Sequence, residues 1–144
     1  MIKITKIVHF EMAHAIYGYD GRCKDIHGHS YELHVTVSGR DTPDTYIPAP
    51  GFVVDFKELK RLVYNHIADI LDHHLVLSEE YLKSNPEVSA LEHLLVWKHE
   101  PTAENILYYI KDKLGDVLPD HIRLRQLKLY ETKDSYAEWV TDNG

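Results

Sequence analysis

At 144 residues and 44% apolar content, the chain has the size and composition of one globular domain with an ordinary core. A net charge of −7 disfavours binding to a nucleic-acid backbone or an anionic membrane, although a local basic patch could still hold a phosphorylated small molecule. The single cysteine excludes an internal disulfide, and Lys3 and Lys6 interrupt the first apolar run in a way that suits neither a signal segment nor a membrane span, so a cytoplasmic protein is expected.

Residues 2–13 read as a strand, with Ile2, Ile4, Val8, Phe10 and Met12 on one face and Lys3, Thr5, His9 and Glu11 on the other. Lys6 is the exception on the apolar side. Residues 15–25 hold Gly18 and Gly21 among tyrosines and form a loop that carries Cys23 towards a histidine pair. From 27 to 38 the alternation is cleaner: Tyr31, Leu33, Val35 and Val37 share a face, and His27 and His29 share their parity. The proline-containing stretch 41–51 is a long connection, followed by a short extended piece at 52–54.

Asp55 with Glu58 three residues on resembles a capping box, and Phe56, Leu59, Val63, Ile67 and Ile70 then follow at helical spacing to about Leu71. Asp72, His73 and His74 lie at the C-terminal end of that helix. Residues 78–83 suit a short helix, 84–86 a turn and 94–97 a brief strand. Thr102, preceded by Pro101, caps a second long helix that buries Ala103, Ile106, Leu107, Ile110 and Leu114 and ends at Gly115. Residues 124–131 alternate again, with Glu131 in phase with Leu127 and Leu129, and 136–140 form a last strand. The pattern predicts an α+β domain of order ββααββ, an antiparallel four-stranded sheet with two helices on one face. Its free edges and uncovered side favour oligomerisation.

His27 and His29 point to one side of their strand and can close on one metal ion; His14, at the end of the first strand's apolar row, is the third candidate. Three imidazoles leave one coordination position for water or substrate, the arrangement of a catalytic zinc. Cys23 has two plainer readings, a small buried hydrophobe or a fourth ligand that closes a structural site. His73 could be a helix-end cation, and Glu131 an edge-strand charge.

Six short motifs lie along the chain in order: Phe10-x-x-Ala13-His14, Cys23-x-x-x-His27-Gly28-His29, Val54-Asp55-Phe56, Asp72-His73, Pro101-Thr102-x-Glu104 and Glu131-Thr132. In order and spacing they resemble the 6-pyruvoyltetrahydropterin synthase superfamily. The three residues between the cysteine and His-Gly-His look like its 6-carboxytetrahydropterin synthase branch, which serves queuosine biosynthesis. The resemblance implies a tunnelling fold (T-fold) in which trimers close their sheets into a barrel, commonly paired into homohexamers as dimers of trimers. It implies that His14, His27 and His29 hold Zn2+, that Cys23 is the general base, and that Asp72 and His73 form a proton relay. It further implies that Glu131 anchors the pterin ring, with Thr102 and Glu104 near it. The implied reaction converts a pterin triphosphate, 7,8-dihydroneopterin triphosphate, to 6-carboxy-5,6,7,8-tetrahydropterin, acetaldehyde and triphosphate. Arg22, Lys24 and Lys133 are candidates by position for the triphosphate.

The departure from the family pattern is the stretch 76–99, which reads as an insertion within a single domain spanning 1–144. Two other readings remain beside the lyase. One is a pyruvoyl-forming synthase or pterin side-chain aldolase on the same scaffold. The other is a non-catalytic zinc-binding oligomer in which Cys23 completes the coordination.

Overall fold

The computed structural model of the chain describes residues 1–21 and 24–142. β1 (Lys3–His14) follows the alternation in its sequence: Val8, Phe10, Met12 and His14 are buried, while Lys3, Thr5, Ile7, His9 and Glu11 are exposed. β2 (His27–Gly39) pairs with it antiparallel from Lys3 opposite Ser38 to His14 opposite His27. The two apolar rows fix that register, with Phe10 opposite Tyr31 and their rings stacked at 5.2 Å. A slip of one residue would turn a whole row to the wrong face. β5 (Ile122–Thr132) and β6 (Ser135–Val140) extend the antiparallel sheet, Leu33 facing Leu129 and Val35 facing Leu127.

Asp55 caps α1 (Phe56–Val63), its carboxylate accepting the Lys57 N–H at 2.8 Å. Glu58, expected to complete a capping box, pairs with Arg61 at 2.6 Å instead. The helix continues through a π segment, Tyr64–Ala68, into a last α turn, α2 (Asp69–Leu71). A π turn is wider than an α turn and takes an extra residue, so the buried stripe rotates. Leu71 is therefore fully buried and Ile70, expected inside, is 38% exposed.

The sheet has six strands in the order β4-β3-β1-β2-β5-β6, and this corrects the expected antiparallel four-stranded sheet. β3 (His74–Ser78) lies parallel to β1, and β4 (Leu94–Trp97) lies parallel to β3. Parallel neighbours need a crossover connection. The segment between them supplies one, through α3 (Glu79–Ser84), capped by Ser78 with its hydroxyl accepting the Tyr81 N–H at 3.0 Å, and a 3₁₀ turn at Pro86–Ala90. The stretch read as an insertion thus carries most of a βαβ unit, which breaks the expected ββααββ order. β3 escaped the pattern because Leu75, Val76 and Leu77 run without a polar residue between them, as in strands covered on both faces.

α4 (Ala103–Val117) begins at its Thr102 cap, where the hydroxyl accepts the Asn105 N–H at 3.2 Å, and runs past Gly115 to Val117. α4 packs over β5 and β6 and α1 over β1. Ile106, Ile110 and Leu114 join Leu59, Val63 and Ile67 against Phe10, Tyr31, Leu33 and Leu127 in one core. Residues 52–54, expected to be extended, form a bend with no strand partner among the described residues. No helix among the described residues is long and apolar enough to cross a membrane.

Candidate metal centre

The last rung of the β1–β2 ladder builds the centre. Register places His14 opposite His27 and Met12 opposite His29, with all three histidines on the inward parity of their strands. Their ligating atoms lie within 4.8 Å of one another, and no other described group of three or more His, Cys, Asp or Glu residues is gathered in this way. The rings stand edge-on, at 65° between His14 and His27, 85° between His14 and His29 and 90° between His27 and His29. That lets the three nitrogens point at one spot without the rings stacking.

Backbone carbonyls fix two of the tautomers. His14 Nδ1 lies 2.6 Å from the Pro101 carbonyl oxygen, and His27 Nδ1 lies 2.7 Å from that of Asp25. A carbonyl only accepts, so each Nδ1 must carry the proton and each Nε2 of the neutral ring presents a lone pair. Those two Nε2 atoms face each other at 3.0 Å. The arrangement is unfavourable between two lone pairs and is relieved by a cation held between them. Burial lowers the His14 pKa, against the opposing effects of the Pro101 carbonyl and Glu131, so that ring favours the neutral, ligating form. Burial also lowers that of His29, with Glu131 opposing and His27 assisting. His29 Nε2 is itself buried without a hydrogen-bond partner. A three-imidazole donor set whose buried His29 Nε2 makes no hydrogen bond fits a borderline-soft divalent ion such as Zn2+.

Glu131 joins this group. Its Oε1 lies 3.2 Å from His29 Nε2, at an angle that makes an ion-pair contact rather than a hydrogen bond. The β5–β6 register shifts between Tyr130 and Thr132, so Glu131 has no opposing residue in β6. Such a bulge re-aims a side chain. Tyr31 lies edge-on to His29 at 5.5 Å, and burial drives its phenol pKa well above the usual value.

Asp72 and His73 sit one strand away. The helix stops at Leu71, as the spacing predicts, Asp72 is its C-cap, and His73 just beyond takes a left-handed φ of 58°. Asp72 Oδ1 accepts the Glu11 N–H at 2.8 Å, Oδ2 contacts His73 Nδ1 at 2.8 Å, and the His73 N–H donates to the Glu11 carbonyl at 2.6 Å. The Glu11 N–H, more than the His73 ring, holds the Asp72 carboxyl below the ordinary carboxylate range. The His73 ring is 79% exposed and lines an open cleft of about 450 Å³ together with His29, Ser30, His74, Glu92 and His93. Of the three clustered histidines only His29 borders this cleft, and Asp72 does not line it. His93, with a left-handed φ of 58° and its ring 5.4 Å from that of His74, had no signal in the sequence beyond being a histidine.

Thr102 uses its hydroxyl to cap α4, and Glu104 is exposed in the first turn of that helix. Cys23 and Arg22 lie outside the described residues.

The profile of the 6-pyruvoyl tetrahydropterin synthase family matches residues 3–142. A 6-carboxy-5,6,7,8-tetrahydropterin synthase from Haemophilus influenzae is 31% identical over 145 residues, covering 96% of this chain and 99% of its own length. The protein of the same name from Rickettsia typhi is 30% identical over 142 residues, with the same coverage. Among solved structures, an uncharacterized protein from Wolinella succinogenes superposes with a TM-score of 0.76 at 19% identity over 98% of both chains, a likeness of fold.

Proposed function

The chain belongs to the 6-pyruvoyl tetrahydropterin synthase family, and from that premise we propose that it is a 6-carboxytetrahydropterin synthase. This is a zinc-dependent lyase that converts 7,8-dihydroneopterin triphosphate, with uptake of water, to 6-carboxy-5,6,7,8-tetrahydropterin, acetaldehyde and triphosphate, a step towards queuosine. The observation that carries the metal-dependent reading is the pair of carbonyl-locked histidines whose Nε2 atoms meet at 3.0 Å beside the buried Nε2 of His29, which makes no hydrogen bond.

His14, His27 and His29 hold the zinc, which when bound supplies Lewis-acid stabilisation of negative charge developing on the side-chain oxygens of the substrate. Cys23 removes a proton from the substrate side chain as a thiolate, a form that a nearby cation favours. Asp72 fixes the His73 ring through Nδ1, which leaves Nε2 to carry a proton to and from the substrate. Glu131 accepts hydrogen bonds from the adjacent ring N–H and amino group of the pterin, two donors that a carboxylate matches. Thr102 and Glu104 border the ring. The exposed edges β4 and β6, with Val96 on the first and Tyr136 and Val140 on the second exposed, support assembly into a homohexamer of paired trimers.

Mass analysis of the products from zinc-loaded protein and 7,8-dihydroneopterin triphosphate tests the assignment. The carboxy product with acetaldehyde is expected. A pyruvoyl product would move the chain to the sister activity, and no turnover would leave a non-catalytic zinc protein.

A further inference from the structure

The segment 100–102 forms a strap across the end of β1, and its contacts run in two directions. Towards the helix, the Glu100 carbonyl accepts from the Thr102 N–H at 2.9 Å and from Asn105 Nδ2 at 2.9 Å. Towards the metal centre, the next carbonyl, that of the buried Pro101, accepts from His14 Nδ1 at 2.6 Å. The Glu100 carboxylate also accepts the Tyr17 N–H at 2.7 Å, which ties down the chain just beyond His14. Asn105 is the third residue of α4, where a side chain ordinarily reaches back to the cap's own N–H. Here its amide instead reaches past the cap to Glu100.

We infer that Asn105 is a positioning residue for the metal centre, acting through the Glu100 carbonyl to hold the Pro101 carbonyl against His14. This rests on the reading of His14, His27 and His29 as zinc ligands. Proline contributes no N–H, so the orientation of the Pro101 carbonyl is set by what holds its neighbours, and Asn105 supplies the side-chain part of that hold. Losing it lets the strap turn, and His14 then loses the acceptor that fixes its tautomer and ring angle. Outer partners of metal-bound imidazoles act in this way and typically change metal affinity by about 10–100-fold when removed.

The variant Asn105→Asp separates positioning from helix stability. Aspartate keeps the size, and its charge suits a helix N-terminus, but it cannot donate to a carbonyl. Zinc-loaded wild type and Asn105→Asp are titrated with a competing chelator, and thermal unfolding of both apo proteins is recorded alongside. The expected result is zinc held roughly 10–100-fold more weakly by Asn105→Asp, with the apo melting temperature within a few degrees of wild type. Equal affinities would overturn the inference while leaving the zinc reading intact. Failure of the wild type to hold zinc would instead remove the reading on which the inference rests. If Asn105→Asp does not fold, Asn105→Gln and Asn105→Glu carry the same comparison, and the amide variant must hold zinc more tightly than the acid; equal affinities between them would again overturn it.

Discussion

His14 and His27 close the open end of the β1–β2 ladder with their Nε2 atoms 3.0 Å apart, each ring held from behind by a backbone carbonyl. The fold therefore brings together two nitrogens that both present lone pairs when the rings are neutral.

Zinc should accordingly stabilise the protein. At a free concentration 100-fold above its dissociation constant, binding to the folded state alone contributes about 2.7 kcal/mol, a rise of roughly 5–10 °C in melting temperature for a chain of this size. His27→Ala should lose most of that rise when both proteins are scanned with and without zinc. An undiminished rise would place the metal elsewhere.

Glu131 touches His29, yet its proposed role is to bind the pterin. Glu131→Gln should retain zinc at wild-type stoichiometry while kcat/KM falls by roughly 10–100-fold, the loss of a charge-assisted hydrogen bond. Loss of zinc with normal kinetics in the loaded fraction would make Glu131 part of the metal centre instead.

Acid stability should depend on Asp72. Its carboxyl titrates below the ordinary range because the folded chain favours the charged form, chiefly through the Glu11 N–H. The stabilisation is therefore full above the unfolded-state pKa of about 4 and is lost as pH falls through the lower folded-state value. Asp72→Asn should flatten this part of the acid limb in pH-dependent denaturation. Because the side chain is 41% exposed, solvent screening keeps the effect small, and a variant curve parallel to wild type below about pH 4 would contradict it.

The π segment makes a prediction about neighbours. Leu71→Ala, in the core, should cost about 2–5 kcal/mol in urea unfolding. Ile70→Ala, on the partly exposed side, should cost about 1 kcal/mol or less. Equal losses would mean that the stripe does not rotate as the π turn requires.

The clustering of His14, His27 and His29 was legible because two simple periodicities carry it. His14 ends an alternating row, His27 and His29 begin another, and pairing Phe10 with Tyr31 brings the row ends together. Glu131 was legible for the same reason, through its parity with Leu127 and Leu129. β3 was not, since a continuous apolar run suits a helix end as well as a buried strand. The π turn leaves no trace in the spacing, which puts Ile70 inside, whereas the structure buries Leu71. The Asn105–Glu100–Pro101 strap reaches His14 through backbone carbonyls across a long sequence separation, which no side-chain pattern encodes.

Cys23→Ala tests whether the protein is a lyase that uses both a thiol base and a three-histidine zinc. Zinc content and products from 7,8-dihydroneopterin triphosphate are measured together for the variant and wild type. Wild type is expected to form 6-carboxytetrahydropterin and acetaldehyde, and the variant to keep its zinc but form neither. Zinc lost with the thiol, in a protein that turns over nothing in either form, would contradict that reading and make Cys23 the fourth ligand of a closed structural site.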